Sequence, residues 1–419
     1  MSSQQQQQQQ QQHETPSKYR SEQFLISHIH DCMRFYTNSL DSSDENAGFF
    51  HCFNDSGTVI DQTYRHLVSS TRFVFTNAMA YQEFGEGHFK VAVEHGIRHV
   101  RNKHRNVVTG GYCWTLQDGV VADSTYHCYG MAFVLLAYAK AFSIGVAETR
   151  SYMEETWELL EARYWEESAG LYRDEANRDW KFSQYRGQNA NMHMCEALLA
   201  AYRACGDIKY LNRALLLAQH MTQRQAQLTG TPFVWEHYHQ SWDVDWQYNL
   251  DDPKHTFRPW GFQPGHQIQW AKLCLLLYQQ DPSAHWLKST AVALFDCTMK
   301  IAWDEVNKGI VYGFSTEIDS ITGTHKICDD DKYFWVQAEA IAASALLAQA
   351  TGEARYWKWY EELWGYADTH FVDHQYGAWF CILDCHNQKY SSTKSPAGKT
   401  DYHSMGACHD VLAVLRSYL

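Results

Sequence analysis

Six stretches of the chain, YRHLVSSTRF, YHCYGMAF, NANMHMCEA, GHQIQWAKL, YFWVQAEA and DYHSMGACH, read as helix starts, and five of the six contain histidine. Imidazole is the side chain whose ordinary pKa suits general acid and base work near neutrality. One histidine in an apolar helix is usually a satisfied core residue; recurrence at equivalent positions is what points to proton transfer. His193 and Glu196 are spaced i, i+3, as are His266 and Gln269, so each pair shares a helix face on which the partner can orient the ring. Arg72 follows Arg65 by seven residues, also on one face; its permanent charge can stabilise a developing oxyanion, or serve equally well in an internal ion pair. These groups suit proton transfer at a carbon next to a carbonyl. Glu236, Asp243, Asp251 and Asp252 fall in one long hairpin and loop, where two carboxylates flanking a glycosidic bond are the alternative. Trp235, Trp242, Trp335 and Trp379 lie where indoles can stack on sugar rings, although core packing is the commoner role of any one of them.

Presenting such groups together requires elements that repeat. Stretches with turn and strand signals recur as GFFHCFNDSGTVID from Gly48, GGYCWTLQDGVVADS from Gly110, GLYRDEANRDWKFS from Gly170, TPFVWEHYHQSWDVDW from Thr231, KGIVYGFSTEIDSITG from Lys308 and YGAWFCILDCHNQ from Tyr376. The helices that follow begin near Tyr64, Tyr126, Asn189, Gly265, Tyr333 and Asp401, separated by 62, 63, 76, 68 and 68 residues. Each interval holds an apolar helical segment such as MAFVLLAYAKAF and a more amphipathic one such as EARYWKWYEELWGYADTHF. Six hairpin–helix–helix units bury their apolar helices best by closing into a ring, with an amphipathic helix over residues 22–40 completing the outer layer. The spacing therefore predicts an all-α fold, a single-domain (α/α)6 barrel over 21–419 with short β-hairpins on the active-site face. An open helical solenoid is the alternative.

Composition narrows the functions. With 35 Lys plus Arg against 48 Asp plus Glu, the net charge of −13 repels phosphate backbones and anionic membranes, so neither nucleic acid nor a membrane is an expected partner. The first residues offer no basic segment followed by an apolar core, which predicts a cytoplasmic protein. The 12 cysteines contain no C-x-x-C pair and read as reduced, mostly buried thiols. Residues 1–20, with glutamine from Gln4 to Gln12, read as a disordered tail. H-E-x-x-H is absent, and His28-x-His30 and His237-x-His239 lack an obvious third ligand, so no metal is expected; G-x-G-x-x-G, P-loop and G-x-S-x-G runs are also absent, and no cofactor is expected.

The stretches YRGQNANMHMCEA, WEHYHQSWDVDWQYNLDDPKHTFRPWGFQPGHQIQWAKL and KYFWVQAEA resemble the N-acylglucosamine 2-epimerase superfamily over nearly the whole chain after residue 20. FHCFNDSGTVIDQTYRHLVSSTRFVF is most similar to its metal-independent D-mannose isomerase branch. The resemblance implies that His266 and His403 are the catalytic histidines and that Arg72 contacts substrate oxygens near C1 and C2. It implies that Tyr129, Asn189, His193 and Trp335 contact the sugar. Gln269 stands where the family usually places Glu, so the carboxylate expected to orient His266 is replaced by an amide that can keep a hydrogen bond but cannot stabilise an imidazolium as strongly. The implied activity is interconversion of D-mannose with D-fructose, and of D-lyxose with D-xylulose, through a cis-enediol. Epimerisation of D-mannose to D-glucose, and a non-catalytic sugar-binding role, are the alternatives. The oligomeric state is left open.

Overall fold

The structure, a computed structural model, describes residues 17–418 apart from 256 and 322. Among them are twelve α-helices: α1 (Glu22–Phe35), α2 (Leu67–Phe84), α3 (Gly87–His99), α4 (Cys128–Ser143), α5 (Thr149–Leu159) and α6 (Gln188–Cys205), then α7 (Ile208–Gln219), α8 (Pro264–Tyr278), α9 (His285–Ala302), α10 (Phe334–Thr351), α11 (Ala354–His370) and α12 (Tyr402–Arg416). The even-numbered helices begin within three residues of the positions the repeat predicts. Composition sorts the two sets. α4 reads CYGMAFVLLAYAKAFS and is buried on nearly every side, whereas α7 buries Tyr210, Leu211, Ala214, Leu217 and Ala218, a single stripe at helical spacing. Each even-numbered helix packs on the next and α12 returns to α2; α3, α5, α7, α9 and α11 pack outside α2, α4, α6, α8 and α10, and α1 outside α12. The molecule is therefore a helical barrel. α1 stops at Phe35, short of the predicted residue 40, because residues 36–38 turn. None of the described helices is long and apolar enough to cross a membrane.

The short strands do more than form local hairpins. Tyr64–His66 pairs with Thr115–Gln117, Tyr126–His127 with Glu175–Ala176, Arg186–Gly187 with His237–Tyr238, and Lys332–Tyr333 with Ile382–Leu383. Each strand leading into an inner helix is thus bonded to the following unit, and Cys52–Asn54 closes the circle on Thr393–Ser395. Side-chain amides one turn into three inner helices fix these segments further. Asn191 takes the N–H and donates to the C=O of Tyr172, Gln267 does so at Val234, and Gln337 at Ile310, all at 2.8–3.0 Å. The rim around the inner-helix N-termini is in this way held to the helices at two bonds per clamp.

Residues 17–20, placed by the sequence in a disordered tail, carry structure. The glutamine tract lies outside the described residues, but Lys18–Arg20 forms a 3₁₀ turn, Lys18 pairs with Asp368 at 2.8 Å, and Tyr19 stacks 5.9 Å from Trp364. An aromatic and two cations give this end of the predicted tail enough contact on α11 to order it.

Several buried histidines act as acceptors, a role only the unprotonated nitrogen can fill: His28 takes the Trp379 indole N–H at 2.7 Å, and His66 takes the Val68 N–H at 3.1 Å. Burial lowers His28, His99 and His237 to about 4 and His66 and His409 to about 3, from 6.5. Depressed histidine values make the unfolded chain the better proton binder below 6.5, so stability is complete above that pH and falls toward 4, by about 1.4 kcal/mol per pH unit for each fully titrating group. Asp174, pushed up to about 8 by burial, works in the opposite sense as a single group. Urea midpoints are expected to drop progressively as pH falls below 6.5; midpoints unchanged at pH 5 would contradict this.

Candidate active site

Three imidazoles meet at the mouth of the barrel, and each leans on a carboxylate. On α6, His193 Nδ1 lies 2.9 Å from Glu196 Oε2. At the first turn of α8, His266 Nδ1 lies 2.9 Å from Glu236 Oε2. On α12, His403 Nδ1 lies 2.6 Å from Glu339 Oε1, which reaches across from α10. An ionised carboxylate only accepts, so Nδ1 carries the proton in each ring and Nε2 lies on the side of the ring away from the carboxylate. Burial first, then the positive neighbours Arg72, His193 and Lys272, hold His403 well below 6.5, so it stands as a neutral base at pH 7. Burial also lowers His193, against the pull of Glu196.

Arg72 on α2 sits beside His403, with Nη2 3.5 Å from its Nε2. The guanidinium is clamped between the rings of Phe133 and Tyr402, at 4.4 and 4.6 Å, and donates to the Gly398 carbonyl and, at 3.1 Å, to the Tyr129 hydroxyl. Its Nε has no partner, and neither has Asn189 Oδ1 at the start of α6. The Tyr129 ring meets His193 edge-on at 5.1 Å. Trp335 lies over both remaining histidines, 5.1 Å from His266 and 5.5 Å from His403. That approach requires Gly265, where a Cβ would sit 2.4 Å from the indole. His403 itself is presented by a strained turn: Thr400 and Asp401 both have φ of 49°. The turn is held because the buried Asp401 carboxylate accepts from Tyr36, Ser404 and the Trp379 N–H at 2.6, 2.9 and 3.2 Å.

His266, His403, Arg72, Tyr129, His193 and Trp335 are thus brought together, and Asn189 stands four residues before His193 on α6. Two residues are not part of this group. Trp379 is wholly buried, its indole N–H spent on His28 and its ring packed against Phe371 and Trp364, so it belongs to the outer wall and presents nothing to a ligand. Gln269 is fully buried and makes no hydrogen bond to His266, or to any other group. The carboxylate that orients His266 comes from Glu236 on the preceding hairpin, which the Gln267 clamp at Val234 positions. The amide at 269 therefore does not deprive His266 of its charge. Arg65 is not on the helix with Arg72; it lies in the strand before α2 and pairs with Asp41 at 2.6 Å. Trp235 and Trp242 are core residues.

Glu339 escapes the sequence reading altogether, although its i+4 relation to Trp335 places it on the same helix face, which was the available signal. Among the described residues, Asp329, Asp330 and Asp331 bring three carboxylates within metal-binding reach of one another. Lys254 already sits 3.0, 3.6 and 3.1 Å from them and supplies the positive charge. A neutral base beside a fixed cation, with two further imidazoles nearby, can take a proton from carbon and hold the negative oxygen that results.

The family model described as N-acylglucosamine 2-epimerase matches residues 48–407. A D-mannose isomerase from Marinomonas mediterranea is 50% identical over 398 residues, covering 95% of this chain and 98% of that protein. A D-mannose isomerase from Thermobifida fusca is 34% identical over 80% of this chain and 81% of its own length. A crystal structure of D-mannose isomerase superposes with a TM-score of 0.91 at 49% identity, covering 95% of this chain and 99% of that one.

Proposed function

The chain belongs to the N-acylglucosamine 2-epimerase family, and from that premise we propose that it is an aldose–ketose isomerase interconverting D-mannose and D-fructose, and D-lyxose and D-xylulose, on an (α/α)6 barrel. The observation that carries the reading is the placement of His403 Nε2 at 3.5 Å from Arg72, with Nδ1 fixed on Glu339. Similarity to D-mannose isomerases over nearly the whole chain supports the choice of substrate.

The sugar ring opens first, His266 assisting as its Nε2 relays the hydroxyl proton. His403 then removes the C2 proton of the aldehyde form, giving a cis-enediol(ate) whose oxygen is held by Arg72. The guanidinium stays charged throughout and acts in a water-poor site, where a fixed charge is worth most. His403 returns its proton to C1 while His266 moves the proton between O1 and O2, and the ketose forms. Tyr129, Asn189, His193 and Trp335 contact the sugar. Every proton has a protein acceptor, so the route calls on no metal.

The test is NMR of D-mannose incubated with the protein in D2O containing a chelator. Fructose is the expected product despite the chelator. Glucose bearing deuterium at C2 would identify a 2-epimerase, and recovery of unchanged mannose would overturn the reading.

A further inference from the structure

Below His403 the barrel axis holds an ion network. Lys272 projects from α8 within the run WAKLCLLL, which is otherwise apolar, and its side chain is only 6% exposed. Its Nζ lies 2.8 Å from Glu339 Oε2, as an ion pair and not an aligned hydrogen bond, and 3.7 Å from Asp410 Oδ2. Glu339 is 2% exposed and uses its other oxygen on His403. A cavity of about 230 Å³ runs beneath, lined by Glu196, Lys272, Glu339, His403 and Asp410. A carboxylate so buried keeps its charge only if a cation stands against it.

We propose that Lys272 is a positioning residue of the reaction: it holds Glu339 ionised, so that Glu339 accepts the Nδ1–H of His403 and leaves Nε2 free as the base. The inference rests on the isomerase reading for its kinetic consequence alone. Burial pushes Glu339 up and Lys272 opposes that push; Glu196 on α6 adds to the push, and His193 beside it opposes. Asp410 on α12, partly exposed, is the other acid beside Lys272, with Lys140 on α4 and Arg203 on α6 as its further cations. Burial pulls Lys272 down, but Glu339, Asp410 and Glu196 raise it on balance, so it stays charged. Without Lys272, Glu339 takes a proton. A carboxylic acid donates to Nδ1, the imidazole proton moves to Nε2, and the base is lost.

Lys272→Met keeps the length of the side chain and removes the charge. Its kcat should fall about 30-fold with KM within twofold, and activity should climb with pH as Glu339 ionises. Lys272→Arg should recover most of the rate. Nitrogen NMR of ¹⁵N-histidine protein, with His403 assigned by its loss in His403→Asn, should report unprotonated Nε2 in wild type and protonated Nε2 in Lys272→Met. This readout requires no sugar, so it stands even if the substrate is wrong. Wild-type kcat and tautomer in Lys272→Met would overturn the proposal. If that variant does not fold, the carboxyl ¹³C signal of Glu339 in wild type decides: ionised at pH 6 supports the proposal, protonated at pH 6 overturns it.

Discussion

His403→Ala should lower kcat for D-mannose by about 10⁴-fold, the upper range for loss of a positioned general base, while the circular dichroism spectrum stays that of wild type. Three features single out this imidazole. It is the one beside Arg72, so it faces the carbon whose neighbouring oxygen the guanidinium can hold. It is held well below 6.5 by burial and nearby positive charge, so it is unprotonated wherever the enzyme is stable. Its Nδ1 is tied to Glu339 at 2.6 Å, so the ring needs no reorganisation to accept a proton at Nε2. The deletion leaves Glu339 paired with Lys272, which is why the fold survives. Sugar binding should persist, since Tyr129, Asn189, His193 and Trp335 are untouched. Mannose recovered from D2O should carry no deuterium at C2. A kcat within tenfold of wild type would remove His403 from the mechanism.

The repeat made the barrel legible. Helix starts are readable because apolar periodicity, turn residues and recurrence agree with one another, and agreement across levels is what specifies a fold. The residues that meet at the barrel mouth were legible for a related reason: they lie on the first turn or two of inner helices, where a polar side chain in apolar surroundings stands out. Residues that act by supporting others were not. Glu236 stands on a hairpin 30 residues before His266, and only the pairing of Arg186–Gly187 with His237–Tyr238 and the Gln267 clamp bring it there. Sequence spacing instead directed attention to Gln269, three residues after His266, whose side chain makes no bond. Trp379 failed in the opposite way. Its place after a hairpin turn resembles a rim position, but the chain leaving α11 carries it inward under α1, where His28 fills its donor. Contacts between units are decided by tertiary closure, and the strands that stitch one unit to the next have no local signature.

The second large effect is expected at Glu236. One oxygen, Oε2, accepts from both His266 Nδ1 and Gln188 Nε2 at 2.9 Å, while Oε1 is buried without a partner. Gln188 cannot turn to compensate, because its own oxygen accepts from the Trp270 indole at 2.9 Å. Glu236→Met therefore strands two donors and frees the ring to exchange tautomers, and kcat should fall about 10³-fold, within the range for a lost acid–base group. Glu236→Gln separates charge from geometry. Its carbonyl can take the place of Oε2 and keep both bonds, with the NH2 where Oε1 had none, so the tautomer survives and only imidazolium stabilisation is lost; a fall of about 10- to 100-fold follows. Gln269→Glu should give no gain in rate in either background, because a carboxylate there does not reach His266. Equal kcat for wild type and Glu236→Met would mean that His266 needs no fixed tautomer, and rescue by Gln269→Glu would return the orienting role to α8.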